Sequence, residues 1–518
     1  MPKILTQETW QVDLMNHFDV IIVGLGPTGS ITALLLESYG IKVLGIEKEK
    51  EVYNLPRAVT ISDQGFRISQ LAGIDHIYQE NSTVLGGARF TDKNLNTIGN
   101  GIDLQGLISQ NGWPPSSLFH QPYTDHAIRE KLDNSAVEVL LEHEFKDLIC
   151  ADKENKIKVL NLKEEEEIEF TCRYLIGSDG GSSLVRRKLD IEQIDLNYNR
   201  DWVVVDVELR NENTLGDQVL QVCDSERLTT FVPSHLPFRR WEFIIHEHED
   251  KEMFLDESNI QKLIYKWLKP EEYKIIRKAV YQFHSIIAKN FKKDNCFLMG
   301  DAAHQAPPFM GEGMMSGYRD AVNLSWKIAC TIKNELNEKL LETYEEERIP
   351  HSKFVVKNSA GIGELMEAYA ETEDPNKVPQ DLVNKGYGSF ILPNLSSGFF
   401  FGGKANETMH SGEIFPQPVE YLNKKIVKRM DHILGDNFTL ISKSKFSLSK
   451  DNQKFLDLLG CKTLILKKEY IEENSWLKSF MKEGTTYLVR PDRYIFGSTT
   501  SDVSLEELIN DLKIRINL

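Results

Sequence analysis

Hydrophobic positions near the start of the chain fall into two rhythms. Phe18–Val23 is apolar at every position except Asp19, the run expected of a short parallel strand buried on both faces. Ile31, Leu34 and Leu35 then recur at helical spacing, and Gly40 stands where a left-handed residue closes a helix. Lys42–Ile46 predicts a second strand that ends at Glu47, and Tyr174–Ile176 ends another. From about 200 to 285 the texture changes. Trp202–Leu209 and Trp241–Ile245 are rich in Val, Ile and aromatic residues with turn residues between them, which predicts antiparallel strands; helical texture returns over 258–280. Asn295–Met299 predicts a further short buried strand. After it, Met314, Tyr318, Ala321, Leu324, Ile328 and Ile332 mark one face of a helix at steps of three and four. Residues 360–410 read as an irregular, mobile connection, and the last hundred as a separate small α/β unit. That unit ends in a helix opened by Ser504, with Glu507 placed for a capping box. The acidic run Glu164–Glu167 reads as a solvated hairpin tip.

Composition narrows the class. At roughly 150 residues per domain, 518 residues suggest about three folding units. Hydrophobic residues at 41% and charged residues at 27% suit a globular core. A net charge of −17 argues against a nucleic-acid partner, because phosphates need a basic surface. The six cysteines show no CxxC and no metal-ligand spacing, so neither a disulfide framework nor a metal site is expected. Met1–Asn16 is polar and carries Glu8 and Asp13, unlike a signal peptide. The longest apolar stretch, Val20–Leu36, is broken by Gly24, Gly26, Pro27 and Gly29 and is too short to span a bilayer. No membrane span and a cytoplasmic location are the expectation.

Three motifs carry chemistry. Gly24-Leu25-Gly26-Pro27-Thr28-Gly29 is GxGxxG placed between strand and helix. Its first glycine permits the tight turn, its second lets backbone approach a pyrophosphate, and its third lets helix and strand pack closely. The anion then rests on unpaired helix N–H groups. Glu47, at the tip of the next strand, suits a ribose diol. This motif alone leaves NAD and FAD both open. Far downstream stands Gly300-Asp301-Ala302-Ala303-His304, followed by Pro307, Pro308, Gly311 and Gly313. An Asp at a strand end can hold the ribityl chain of a flavin, and a Gly-rich turn opening a helix can stabilise reduced-flavin charge. Between them lies Gly177-Ser178-Asp179-Gly180-Gly181-Ser182-Ser183-Leu184-Val185-Arg186, for which a plain strand–turn–helix corner is the competing reading.

Together the three segments resemble the class A flavoprotein monooxygenases, the FAD-dependent aromatic hydroxylases. Within that family the likeness is to the 3-(3-hydroxyphenyl)propionate hydroxylase type. It is carried by Leu55-Pro56-Arg57-Ala58-Val59, Phe119-His120-Gln121-Pro122, the run from Gly300 to Ile328, Gly412 to Pro418, and Leu488-Val489-Arg490-Pro491-Asp492. The resemblance implies an α/β fold with a Rossmann-like, p-hydroxybenzoate hydroxylase-like FAD-binding domain, discontinuous over 1–200 and 286–360. It further implies an antiparallel β-sheet substrate domain over 201–285, an irregular connection over 361–410, and a C-terminal thioredoxin-like domain over 411–518. That last domain holds only Cys461, which excludes a dithiol redox role.

By the same resemblance, FAD contacts or is framed by Gly24, Gly26, Pro27, Thr28, Gly29, Glu47, Lys48, Arg57, Gln121, Asp179, Gly300 and Asp301. Pro308, Gly311, Gly313 and Met314 line its isoalloxazine. NADH or NADPH is the implied reductant, with O₂ and a small aromatic substrate as partners and a monomer or homodimer as the assembly. In the family, a flavin C4a-hydroperoxide delivers oxygen to an electron-rich ring, chemistry that belongs to the cofactor. His304 and Arg57 are candidates for a catalytic role, with a structural hydrogen bond as the competing reading of His304. His235, His246 and Tyr281 fall in the implied substrate sheet and either face the pocket or pack. One departure stands out: Ile286 replaces an Arg that many relatives carry, which bears on the reductant or the substrate. A flavin-dependent reductase or dehydrogenase on the same fold, and a non-catalytic flavoprotein, are the alternatives.

Overall fold

The structure, a computed structural model, describes residues 16–150, 154–211, 215–333, 337–372, 374–388, 391–422 and 425–517. The leader reading of Met1–Asn16 therefore falls almost wholly outside the described residues. The first sheet is built on the predicted buried strand. His17–Val23 lies between Glu166–Gly177 and Val43–Glu47; Cys296–Leu298 and Glu138–Leu141 extend it on either side, every one of these pairings parallel. Val23 stands opposite both Gly177 and Ile46, and Gly177 opposite Leu298. Four strands therefore end level with one another, and their loops leave the sheet together.

The helix after the first turn, Pro27–Ser38, buries Ile31, Leu34, Leu35 and Leu36. Gly29 lets it sit this close: a Cβ there would stand 2.0 Å from the Gly24 carbonyl oxygen and 2.7 Å from Ser178 Oγ. The helix Gly313–Lys333 packs beside it, with Tyr318, Ala321, Leu324 and Ile328 buried as their spacing predicts. The acidic run Glu164–Glu167 is exposed at the tip joining Asn155–Asn161 to Glu166–Gly177. Among the described residues no helix is long and apolar enough to cross a membrane.

The second sheet departs from the expected 201–285 block. Its long strands are Gln193–Leu209 and Tyr273–Ala288, which cross both expected boundaries, and it recruits Gly87–Thr91 and Thr97–Asp103 from the N-terminal region. It is also not purely antiparallel, because Gly87–Thr91 runs parallel to Gln218–Val222. Helix over 258–280 is only half realised. Glu257–Ile264 is helical, but Tyr273–Ala288 is a strand paired along most of its length with Gln193–Leu209. Pro270 interrupts the helical pattern, and cross-strand pairing then outweighs local preference.

The irregular segment also starts later than 361. The helix Lys339–Ala370 carries straight through it, burying Ile362, Leu365 and Met366 in a cluster with Trp202 and Phe309. At the C-terminus, Thr439–Ser442 pairs in parallel with Lys462–Ile465 and antiparallel with Thr486–Val489, which pairs with Ile495–Ser498. Ser504 and Glu507 form the reciprocal cap of the last helix, at 2.8 Å and 3.3 Å.

This unit has its own sheet but is not separate. Trp326 and Leu340 belong to its core, and buried charges join it to the preceding helices. Arg490 meets Glu347 at 2.8 Å, Lys327 meets Glu347 at 3.1 Å, and Trp326 Nε1 donates to Asp492 at 3.0 Å. Burial alone would raise the Glu347 carboxyl, but Arg490 and Lys327 hold it at about 2. Arg490→Met keeps most of the side-chain volume and leaves Glu347 and Asp492 facing Lys327 alone. We expect a loss of about 3–5 kcal/mol, the usual result of unpairing a buried charge. Urea unfolding checks this, and an unchanged midpoint would show that the cluster does not hold the unit in place.

Candidate active site

The four level strand ends place the three sequence motifs side by side. Each turn is fastened to its neighbour by hydrogen bonds. Gly24 N–H donates to the Ile46 carbonyl at 2.8 Å, and Leu25 N–H to Glu47 Oε2 at 2.9 Å. Glu47 Oε1 also accepts from Glu49 N–H at 3.0 Å, so this carboxylate joins the pyrophosphate turn to the end of the second strand. Ser178 Oγ donates to the Gly24 carbonyl at 2.7 Å. Arg186 donates to the carbonyls of Gly181 at 3.2 Å and Ala302 at 3.0 Å, bridging the second and third motifs.

The Asp179 carboxylate is spent within its own motif. It accepts from Ser183 Oγ at 2.5 Å, Leu184 N–H at 2.7 Å and Val185 N–H at 3.1 Å, closing the short helix Leu184–Lys188. Gln121 likewise faces the chain: Oε1 accepts from Arg57 N–H at 2.9 Å and Ala58 N–H at 2.7 Å, while Nε2 donates to Asp125 at 2.9 Å. Burial pushes the Asp125 carboxyl up to about 7, against the lowering effect of the Gln121 bond.

Two cavities meet at these turns. One, of about 970 Å³, is lined by Gly24, Glu47, Lys48, Asp179 and Arg187. The other, of about 660 Å³, lies between the third motif and the second sheet and is lined by Thr28, Asp301, Pro308, Gly311, Gly313 and Met314. Gly26, Pro27, Arg57, Gln121, Ser178 and Gly180 border both, so the space is continuous in outline. Cβ atoms built on Gly26, Gly180 or Gly313 would meet no neighbouring atom within 4 Å, so their backbone faces open space. Asp301 reaches the cavity with a carboxyl that has no hydrogen-bond partner among the described residues. It is reachable from the cavity yet set deep among protein atoms. That burial raises its pKa, with His304 and Arg57 opposing. A long cavity edged by bare backbone and ended by an unpartnered carboxyl fits an elongated, polyol-bearing dinucleotide.

Not every predicted residue lies on the cavity wall. Gly29 and Gly300 act from behind it by close packing; a Cβ on Gly300 would come within 2.8 Å of Thr28 Oγ1. His304 is corrected as a catalytic candidate. It is buried behind the turn and bonds Asp320 at 2.7 Å, where Asp320 also accepts from Gly300 N–H at 3.0 Å and Arg348 Nε at 2.7 Å. Burial opposes ionisation of Asp320, but His304 and Arg348 hold its carboxyl below the ordinary range. This buried trio fixes the turn that presents Asp301. Arg57 borders the cavity with an exposed side chain stacked over Tyr53 at 4.6 Å. His235, His246 and Tyr281 are not among the lining residues; Tyr281 receives a hydrogen bond from Arg277, and His246 sits near the Glu226 carbonyl at 3.1 Å. Ile286 pairs with Gln305 across the sheet.

The reading of the sequence missed the cavity's polar wall. Gln221, Thr230 and Glu242 form one cross-strand row, and Thr230 Oγ1 donates to Gln221 Oε1 at 2.7 Å. Glu242 is buried, lies 4.0 Å from Arg240 Nη1, and has no hydrogen bond among the described residues. Burial raises its carboxyl to about 7, with Arg240 opposing. Beside it Arg240 is saturated by Asp206 at 2.7 Å and by the carbonyls of Arg57 and Pro56, both at 2.7 Å. The signal was present in Phe238–Ile245, a strand buried at every position that nevertheless contains Arg239, Arg240 and Glu242. Charged residues are rarely buried so completely without a task.

Comparison with known proteins agrees with this geometry. The model of the FAD binding domain family matches residues 17–359. The chain is 30% identical over 449 residues to a 3-(3-hydroxy-phenyl)propionate/3-hydroxycinnamic acid hydroxylase of Escherichia coli O81 (strain ED1a), covering 82% of this chain and 78% of that one. Its fold is similar to the flavin-dependent monooxygenase PieE, solved with FAD and substrate, at TM-score 0.80 and 18% identity over 96% of this chain and 99% of that one. It is similar also to the anhydrotetracycline hydroxylase OxyS from Streptomyces rimosus, at TM-score 0.78 and 20% identity over 97% and 99% of the two chains. The fold and the paired cavities thus define a flavoprotein, and the chain belongs to the FAD binding domain family. Within it, the protein is an FAD-dependent monooxygenase of the aromatic hydroxylase type.

Two substitutions separate the ends of the cavity. Asp301→Ala removes the unpartnered carboxyl beside the third motif, and purified protein should lose most of its bound FAD, read as flavin absorbance per chain. Glu47→Ala should weaken retention by a smaller factor, on the order of 10-fold in Kd, since a hydrogen bond to a charged group contributes about 1.5–3 kcal/mol at most. A fully yellow Asp301→Ala protein would remove that residue from the site.

Proposed function

We propose that this protein uses NADH or NADPH to reduce bound FAD and then hydroxylates a phenolic ring held in the 660 Å³ cavity. The single observation that carries the reading is the placement of Asp301, the Pro308–Met314 turn and the Gln221–Thr230–Glu242 row around one cavity. When bound, FAD supplies hydride acceptance and activation of O₂ at its C4a position, chemistry the protein does not perform itself. The chain's own work is to orient, to exclude water and to manage protons. The apolar wall of Val59, Leu85, Phe90, Val219 and Phe309 favours an aromatic ring and keeps water out. Gly24, Gly26, Pro27, Thr28, Glu47 and Lys48 hold the adenosine and pyrophosphate end, while Asp301 takes the polyol. Pro308, Gly311, Gly313 and Met314 meet the flavin ring. Arg57 and Gln121 shape the loop between the two ends, and Asp179, at the wall of the larger cavity, fixes the second motif by closing its helix.

Glu242 is the group in this cavity placed to accept a phenolic proton. An ionised phenol is a stronger ring nucleophile, and a base with a pKa near the working pH is suited to making it. Asp206 on the neighbouring strand, Arg277 on the strand beyond it and Arg240 on its own strand set the local charge. The discontinuous FAD-binding domain, the sheet as substrate domain and a thioredoxin-like C-terminal domain complete the reading. The parallel pair followed by an antiparallel pair, with the last helix packed on them, supports that name for the C-terminal sheet.

The test is a screen of phenolic acids and heteroaromatics for stimulated NADH or NADPH oxidation, with mass detection of a product heavier by one oxygen. Product formed without O₂ would instead identify a reductase. With an accepted phenol in hand, kcat/KM should rise with pH through about 7 as Glu242 ionises. In Glu242→Gln that rise should vanish and the plateau should fall on the order of 100-fold. A Glu242→Gln profile identical to wild type would remove Glu242 from proton transfer while leaving the hydroxylase reading intact.

A further inference from the structure

Cys150 and Cys296 lie apart from the cavity chemistry and belong to different parts of the first sheet. Cys150 follows the strand His143–Ile149 at the outer end of a hairpin and is partly exposed. Cys296 is fully buried and opens the strand Cys296–Leu298, which leads directly into Met299, Gly300 and Asp301. Their Sγ atoms stand 3.6 Å apart although 146 residues separate them in the chain. Asn155 Oδ1 accepts from Cys296 Sγ at 3.5 Å, and the Asn155 side chain is anchored to the Arg173 carbonyl at 3.1 Å. The pair is therefore held in register by the same sheet that builds the cofactor turns.

We propose that Cys150 and Cys296 form a reversible intramolecular disulfide when the protein meets hydrogen peroxide. A disulfide needs its sulfurs about 2.05 Å apart, so the closure required from 3.6 Å is about 1.5 Å, a distance that side-chain rotation with a small strand shift can cover. The two thiols are not equivalent, and their difference sets the order of events. Cys150 is reachable from solvent, and its hydrogen-bond contact with Cys296 lowers its thiol pKa. The Cys150 contact and burial push the Cys296 thiol up, which makes it the protonated partner of the pair. The thiolate is the nucleophile. Cys150 sulfur attacks one peroxide oxygen, the O–O bond breaks, and the departing hydroxide takes a proton to leave as water, giving a sulfenic acid at Cys150. Cys296 sulfur then attacks the Cys150 sulfur; the S–O bond breaks, the hydroxyl group leaves with the Cys296 proton as a second water, and the S–S bond forms. Two thiols and one peroxide become one disulfide and two waters. The product ties the outer hairpin to the strand that carries the Gly300–Asp301 turn.

The experiment uses the full-length, FAD-loaded protein. It is exposed to equimolar hydrogen peroxide, blocked with an alkylating reagent and mapped by non-reducing peptide mass spectrometry. The expected result is a cross-linked Cys150–Cys296 peptide lighter by two hydrogens, a loss of two titratable thiols from six, and full recovery with dithiothreitol. Cys296→Ser should leave Cys150 as a sulfenic acid trapped by dimedone, and Cys150→Ser should leave Cys296 unmodified. Cys330→Ser and Cys461→Ser should still form the cross-link. The proposal falls if wild-type Cys150 is unmodified, if it proceeds to sulfinic acid without cross-linking, or if the bridge joins other cysteines. None of these outcomes depends on the aromatic substrate, so the test stands apart from the hydroxylase reading.

Discussion

Parallel pairing in the first sheet is the constraint on which the rest of the molecule depends. Because Val23 stands level with Gly177 and Ile46, and Gly177 with Leu298, three turns separated by long stretches of chain leave one sheet edge together. A shift of one residue in any of these ladders would reverse which side chains face the helices and move its turn along the strand axis. The register is held by burial on both faces of the sheet where the turns leave it, since Val20–Val23 and Tyr174–Gly177 are buried at every position. Close approach at Gly29 and the Ser178 bond to Gly24 then lock adjacent turns without long side chains.

The second sheet is coupled to that edge by charge as well as by packing. Arg240 and Arg277 reach from it to the carbonyl of Pro56, and Arg240 also to that of Arg57, while Asp206 balances both guanidinium groups. The loop carrying Arg57 is thus held from the second sheet by arginines and from the first motif's side by Gln121. This arrangement leaves Glu242 as the acid of the cluster without a hydrogen bond among the described residues, facing the cavity. On the far side, the Arg490, Glu347 and Lys327 cluster joins the C-terminal sheet to the helices behind the third motif. The glycine turns, the second sheet and the C-terminal unit are consequently joined by buried charge.

Much of the fold was legible because it rests on local rules. The alternation of apolar strand, glycine turn and amphipathic helix over 18–47 follows from burial and sterics within a few residues, as does the Ser504–Glu507 cap. The sheet over 193–288 was less legible. Its helix was overextended past Ile264 because the pattern of Tyr273–Ala288 acquires meaning only from its partner strand. Its first two strands at the far edge, Gly87–Thr91 and Thr97–Asp103, are distant in the chain and announce no partner.

The sequence by itself determined a glycine turn of dinucleotide-binding form and a second glycine-rich corner carrying an Asp, because the backbone geometry of those turns admits few residue types. Most of the site residues it named border the cavity. Tertiary structure alone decided which of them face it. His304, though in a motif, is consumed by Asp320 behind the turn, and the Asp179 carboxylate is spent on helix closure at the cavity wall, whereas Glu242, in no motif, is left facing the cavity without a hydrogen bond among the described residues. The physical reason is that a polar side chain's role is set by which partners reach it first, and those partners come from strands and helices far away in the chain.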